Sequence, residues 1–323
     1  MHPPGFWRRG GRQWPARLLA PLGVVTAKAT AWRLGRQGWQ APVPVICCGN
    51  LTVGGAGKTT LALDLGQRLL DRGVAVHFLT RGYGGRTRGP LLVQPGCHDA
   101  AVVGDEPLLL GALAPCWVAV DRAAGARAAI AAGAQAIIMD DGLQNPGLRQ
   151  DLPLLVIDGA TGFGNGRVLP AGPLREPVAA GAARCGAAVL IGPDEAGALA
   201  ALAPSLPLLR ARLAPGPEAA ALRGRRVLAF AGIARPGKFF ATLREAGAQL
   251  VGGTPFADHH RFGEAELRRL LQQAAALDAV PVTTPKDAVR LSPALRDAVR
   301  VVGVSLAWRD EAALEAMLRQ VVP

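Results

Sequence analysis

The sequence predicts an α/β protein: a mostly parallel sheet with helices on both faces, followed by a second, smaller α/β domain. Three observations carry this. Short apolar runs alternate with alanine- and leucine-rich helical stretches along the chain. The first buried run leads directly into a glycine-rich loop and then a helical pattern. A stretch carrying Pro204, Pro207, Pro215 and Pro217 separates two strand–helix series. With 323 residues, half of them hydrophobic and 19% charged, the chain can bury sizeable cores, and wholesale disorder is excluded. No charge-free run of eighteen apolar residues occurs, so an ordinary transmembrane helix is not expected. No repeat of 20–50 residues points to a solenoid or propeller.

Residues 1–40 form a basic segment rich in Trp and Arg. It holds Trp7, Trp14, Trp32 and Trp39, four of the six tryptophans. Leu18, Leu22, Val25, Ala29 and Trp32 recur at helical spacing between them. The first acidic residue is Asp64, and the eight cations before it carry most of the net charge of +12. Aromatic and cationic residues flanking a short apolar helix suit a membrane interface, so peripheral membrane contact is expected here. A secretory leader and an ordinary packed helix are the competing readings. No nucleic-acid-binding motif accompanies the charge, and no nucleic-acid partner is expected.

Residues 41–207 read as the nucleotide-binding domain. Val-Pro-Val-Ile-Cys-Cys at 43–48 is its first buried strand. The loop Thr52, Val53, Gly54, Gly55, Ala56, Gly57, Lys58, Thr59 and Thr60 follows, then Leu61, Leu65 and Leu69 at helical spacing. Strand, glycine loop, Gly-Lys-Thr and helix form the phosphate-loop (P-loop NTPase-type) context. Glycines let backbone N–H groups turn inward on a phosphate, and the helix amino terminus adds its dipole. Lys58 is expected to reach the β- and γ-phosphates of ATP, and Thr59 to offer its hydroxyl to Mg2+. The usual first glycine of the pattern is replaced by Thr52.

Further strands are expected at 74–79, 116–120, 136–139, 153–157 and 187–191. The fourth strand of the domain runs into Asp140 and Asp141. An apolar strand ending in carboxylate places a group beside the nucleotide's metal, and alternation along the strand separates the two side chains. Asp105 and Glu106 follow Val102-Val103-Gly104. A phosphoryl-transfer enzyme needs one carboxylate to orient or deprotonate the acceptor hydroxyl, and Asp105 is the candidate. Residues 208–224 are expected to be a linker, and 225–323 a smaller C-terminal α/β domain. Within the latter, Asp258-His259-His260 follows a strand-like run; its carboxylate could fix an imidazole tautomer. The five cysteines show no zinc spacing.

Together these motifs resemble the tetraacyldisaccharide 4'-kinase (lipid A 4'-kinase) family. The resemblance runs through residues 49–59, Thr80-Arg81-Gly82-Tyr83-Gly84-Gly85, Gly104-Asp105-Glu106-Pro107 and Asp140-Asp141-Gly142-Leu143-Gln144. It continues through Leu169–Pro177, Phe230–Pro236, Asp258-His259-His260 and Thr283–Arg290. It implies transfer of the ATP γ-phosphate to the 4'-hydroxyl of a tetraacylated glucosamine disaccharide 1-phosphate, giving lipid IVA at the cytoplasmic face of the bacterial inner membrane. It further implies Asp105 as base paired with His259, Glu106, Asp140 and Asp141 on the metal side, and Arg175 as the cleft cation facing the transferring phosphate. The sequence departs from the family where Asn145 replaces a histidine and Pro285 a glutamate. The alternative is a P-loop regulatory ATPase or GTPase at the membrane surface. That class often carries a lysine where Val53 stands, and its guanine-reading Asn-Lys-x-Asp is absent from this sequence.

Overall fold

The computed structural model describes residues 4–322. The large sheet is built from β1 (Val45–Gly49), β2 (Val76–Thr80), β3 (Leu91–Leu92), β4 (Cys116–Val118), β5 (Ala136–Asp140), β6 (Leu152–Asp158), β7 (Ala187–Ile191), β8 (Leu208–Pro215) and β13 (Val304–Trp308). Its order is β13-β8-β7-β6-β1-β5-β2-β4-β3. All neighbours pair parallel except the two edges, where β13 runs against β8 and β3 against β4. The small sheet holds β9 (Arg226–Ala231), β10 (Gln249–Pro255), β11 (Val280–Thr283) and β12 (Arg300–Val301), all parallel, in the order β10-β9-β11-β12. Parallel pairing requires crossovers, and helices supply them.

The central strand shows why these residues form a doubly covered sheet. All five residues of β1 are buried, as expected when both faces are packed. Ile46 and Cys48 join one apolar cluster with Leu61, Leu65 and Leu69 of the helix Lys58–Asp71. Val45 and Cys47 point to the opposite cluster, with Ile137, Met139 and Ala126. Burial drives the thiols of Cys47 and Cys48 upward, which keeps them protonated.

The structure corrects two expected boundaries. Residues 208–224 are no linker. Leu208–Pro215 is strand β8, with Leu209 and Ala211 buried, and Pro217–Leu222 is a 3-10 turn. The prolines that suggested a linker sit at the strand's ends, where a missing N–H is tolerated. The C-terminal unit also ends earlier than 323. The apolar run at residues 299–306 is divided: β12 pairs with β11, and β13 crosses to β8. The last helix, Glu311–Val321, then buries Leu314 and Leu318 in the large domain's core.

Near the amino terminus run helices Trp14–Leu18 and Ala20–Leu34, and the second lies against the 168–175 loop. Gly23 is the contact point, since a Cβ there would meet the Val168 carbonyl at 2.9 Å. Their outer surface exposes Trp14, Leu18, Leu22, Val24, Val25 and Trp32. No helix among the described residues is long and apolar enough to cross a membrane.

Candidate active site

The site sits at the carboxyl ends of β1, β5, β2 and β6, where ligands of open parallel sheets bind. After Gly49 the chain turns through the glycine loop into the helix Lys58–Asp71. Gly54 and Gly57 hold φ of 122° and 93°, conformations that side chains disfavour. No backbone N–H from Gly54 to Thr60 donates to a backbone carbonyl among the described residues. These donors converge at a helix amino terminus, the arrangement that receives a phosphate. The loop's first part is used differently. The Val53 N–H donates to the Pro173 carbonyl at 2.9 Å, and Thr52 bridges Leu174. Lys58 Nζ donates to Asn50 Oδ1 at 3.0 Å and lies 3.7 Å from Asp141. Asn50 thus holds the lysine over the loop.

Asp140, the last residue of β5, is buried and accepts the Thr59 hydroxyl at 2.9 Å on Oδ2. Its Oδ1 is buried and has no hydrogen-bond partner among the described residues. Burial, then the charge of Glu106, pushes this carboxyl above the usual range. A bare buried carboxylate oxygen beside a threonine hydroxyl suits a hydrated cation, so Thr59 and Asp140 fit Mg2+. Among the described residues no three His, Cys, Asp or Glu side chains converge on one metal position. Mg2+ held by one or two protein oxygens and by phosphates requires no such cage.

Asp141 has φ 58°, which turns its side chain away from that of Asp140. Arg175 forks onto it, Nη1 to Oδ1 at 2.7 Å and Nη2 to Oδ2 at 2.9 Å. Burial alone would raise the Asp141 carboxyl; Lys58 and Arg175 outweigh burial and hold it low. Gln144 links this pair to the neighbouring loop, accepting from Arg175 at 3.1 Å and donating to Glu176 at 2.9 Å. The structure therefore places Arg175 on Asp141, and Glu106 on Lys286 at 3.1 Å.

Asp105 opens the helix Asp105–Gly111 behind Gly104, whose φ of 93° brings the chain close under the Tyr83 carbonyl. The C-terminal unit delivers His259 to it: Nδ1 lies 2.6 Å from Oδ2. Burial would raise the Asp105 carboxyl, but the hydrogen bonds from His259 and Arg290 win and bring it to about 2. The same bond raises His259. The two residues expected to meet across the domains are thus in contact.

Sequence reasoning gave no role to several groups at this junction. Arg290 reaches Asp105 at 2.6 Å, and Lys286 reaches Glu106; both lie in the Thr283–Arg290 segment. Arg235 pairs with Asp158, the last residue of β6, and approaches the Gly55 carbonyl of the phosphate loop at 3.4 Å. Lys238 stands 3.6 Å from the same Asp158. The available signal was charge placement: Arg235, Lys286 and Arg290 lie inside motifs already singled out, and Lys238 lies just beyond one.

A glycine cradle at a helix start, a buried Thr–Asp pair and a carboxylate–imidazole contact between two α/β units suit a phosphotransferase with a P-loop NTPase-type fold. The comparisons refine the class. The family model described as Tetraacyldisaccharide-1-P 4'-kinase matches residues 15–323, and the chain belongs to that family. A tetraacyldisaccharide 4'-kinase from Gluconacetobacter diazotrophicus is 63% identical over 318 residues, covering 98% of this chain and 97% of the relative. One from Rhodospirillum centenum is 57% identical over 323 residues, covering 98% and 96%. Among solved structures, the "apo" form of LpxK from Aquifex aeolicus in complex with ATP superposes with a TM-score of 0.75. It is 26% identical, and the match covers 95% of this chain and 99% of that one.

Proposed function

We propose that Asp105 is the base through which this chain, an ATP-dependent tetraacyldisaccharide 4'-kinase of lipid A synthesis, moves the γ-phosphate to the 4'-hydroxyl of its lipid. Two observations support the reading: the backbone leaves the N–H donors from Gly54 to Thr60 open, and Asp105 is in contact with its cross-domain partner His259. The N–H groups and Lys58 hold the triphosphate. Thr59 and Asp140 would hold Mg2+, whose charge would offset that of the phosphate oxygens. Glu106 and Asp141, now paired with Lys286 and Arg175, would serve as further metal-side carboxylates. Arg175, released from Asp141, faces the transferring phosphoryl group. Asp105 accepts the hydroxyl proton, and His259 fixes the carboxylate's orientation. Closure of the C-terminal unit over the loop excludes water from the transfer.

The exposed face of Trp14, Leu18, Leu22, Val25 and Trp32 supports a peripheral contact with the cytoplasmic face of the inner membrane. There the lipid's acyl chains stay in the bilayer while the sugar reaches the 168–175 loop. The family match does not favour the regulatory ATPase or GTPase alternative. The reading is tested by label transfer from γ-labelled ATP to tetraacyldisaccharide 1-phosphate in detergent with Mg2+. Wild type labels the lipid, and Asp105→Ala lowers turnover by about 100-fold or more. Near wild-type turnover in that variant would remove Asp105 from the role.

A further inference from the structure

Asp105 is gripped by one oxygen only. His259 Nδ1 and Arg290 Nη2 both meet Oδ2, each at 2.6 Å. The other oxygen, Oδ1, accepts no hydrogen bond among the described residues and is not sealed from solvent. Arg290 itself has no room to swing. Its side chain is 5% exposed. Its second amino group, Nη1, donates to Asp287 Oδ1 at 3.2 Å and to the Gly232 carbonyl at 3.1 Å. Asp287 is fully buried; it also accepts the Thr284 hydroxyl at 2.6 Å on Oδ2 and the Gly232 N–H at 3.0 Å on Oδ1. A rigid chain of contacts therefore runs from the start of the segment Thr284–Arg290, through Arg290, to a single oxygen of the base.

We infer that Arg290 is a positioning residue for phosphoryl transfer. It pins Oδ2 of Asp105 beside His259 and so turns Oδ1 toward the acceptor. The inference rests on the reading of Asp105 as base. In the step it serves, the 4'-hydroxyl O–H bond breaks and its proton goes to Oδ1. The hydroxyl oxygen forms a bond to the γ-phosphorus. The bond from that phosphorus to the β,γ-bridging oxygen breaks, and its electron pair leaves with ADP. Asp105 then gives the proton to water. A carboxylate free to rotate about its side-chain bonds would present either oxygen in many directions. A guanidinium held on two sides removes that freedom before substrate arrives, which is the kind of orientation that raises kcat without changing ground-state binding.

The test is a double-mutant cycle on the full chain with ATP, Mg2+ and tetraacyldisaccharide 1-phosphate, reading kcat and each KM by label transfer. Arg290→Gln is expected to lower kcat about 10- to 100-fold, with both KM values within about 3-fold of wild type. In the Asp105→Ala background the same substitution is expected to change residual turnover by no more than about 2-fold, because its partner is already gone. Arg290→Lys keeps the charge but loses the fork, and is expected to fall between wild type and Arg290→Gln. Should Arg290→Gln fail to fold, the same cycle is run with Arg290→Lys. ATP-dependent thermal stabilisation shows that each variant retains its nucleotide site. A full, multiplicative loss in the Asp105→Ala background would overturn the positioning role while leaving Asp105 as base. Near wild-type turnover of Asp105→Ala alone would instead overturn the base assignment, and this inference with it.

Discussion

Gly57 is the residue at which the phosphate loop is most open to a quantitative test. It ends the loop with φ 93° and ψ 13° and caps the helix Lys58–Asp71. Alanine there meets two separate penalties. A left-handed backbone costs an L-residue roughly 1–2 kcal/mol. The new Cβ would also lie 2.6 Å from Ile191 Cδ1, the far end of a flexible side chain at the end of β7. Relieving that contact requires the Ile191 side chain to shift within a packed core, at a cost of about 1 kcal/mol for an off-rotamer position. Gly57→Ala is thus expected to destabilise the protein by about 2–3 kcal/mol, a fall of several degrees in Tm. The two penalties separate in Gly57→Ala/Ile191→Val. Removing Cδ1 abolishes the clash but leaves the backbone strain. The double variant should therefore be less destabilised than the sum of the single losses, by about 1 kcal/mol. The assay is thermal and urea unfolding of all four proteins, each with and without Mg-ATP. Because the strained residue aims the N–H groups, Gly57→Ala is also expected to lose most of its stabilisation by nucleotide. A Gly57→Ala protein as stable as wild type, and equally stabilised by ATP, would refute the assignment of this loop's geometry.

Other expectations follow from the same site. Lys58→Met should abolish nucleotide-dependent stabilisation, which for a wild-type protein at 100 times its Kd amounts to about 2.7 kcal/mol; thermal shift with Mg-ATP reads it. The His259–Asp105 contact should show a defined pH window. His259 is raised in the folded state by its bond to Asp105, so its contribution is present below the ordinary imidazole range and fades as pH rises through the folded pKa. Asp105 is lowered to about 2, so its contribution is present above the ordinary carboxylate range and is lost as pH falls through about 2. The stability difference between wild type and His259→Gln is therefore expected to be largest near pH 5–6 and to shrink by about pH 9; His259 is half-exposed, so the difference stays small. An equal difference at both pH values would contradict the contact. At the amino terminus, Leu22→Ser/Trp32→Ser should weaken sedimentation with anionic vesicles at least several-fold, leaving Tm within about 2 °C, because both side chains are mostly exposed. Unchanged vesicle binding would place membrane contact elsewhere.

Much of the large domain was legible because β1, β2, β5 and β7 are fully buried and its loop chemistry is local. Val-Ile-Cys-Cys at 45–48 followed by Gly-Gly-Ala-Gly-Lys-Thr specifies strand, turn and helix within a short span. Asp140 was legible for the same reason, as the polar end of an apolar strand. The edge of the sheet was not. β8 alternates exposed and buried residues between prolines, a weak pattern, and its pairing with β13 joins residues nearly a hundred positions apart. The junction cations were hidden for a related reason. Arg290 and Lys286 make sense only once the fold brings the second unit against Asp105 and Glu106, which lie 185 and 180 residues earlier. Nothing local in the sequence marks Asp287 as buried; its complete burial under Arg290 and Thr284 is a tertiary fact.

The central claim is that the terminal phosphate of a nucleotide seated on Gly54–Thr60 passes to one particular sugar oxygen. Phosphorus NMR of the lipid recovered after incubation with the purified protein, ATP and Mg2+ reads this directly. A second monoester signal coupled to the 4' proton of the distal glucosamine, absent with Lys58→Met, is the predicted result. Lipid that keeps only its original 1-phosphate while ATP is consumed would contradict the account.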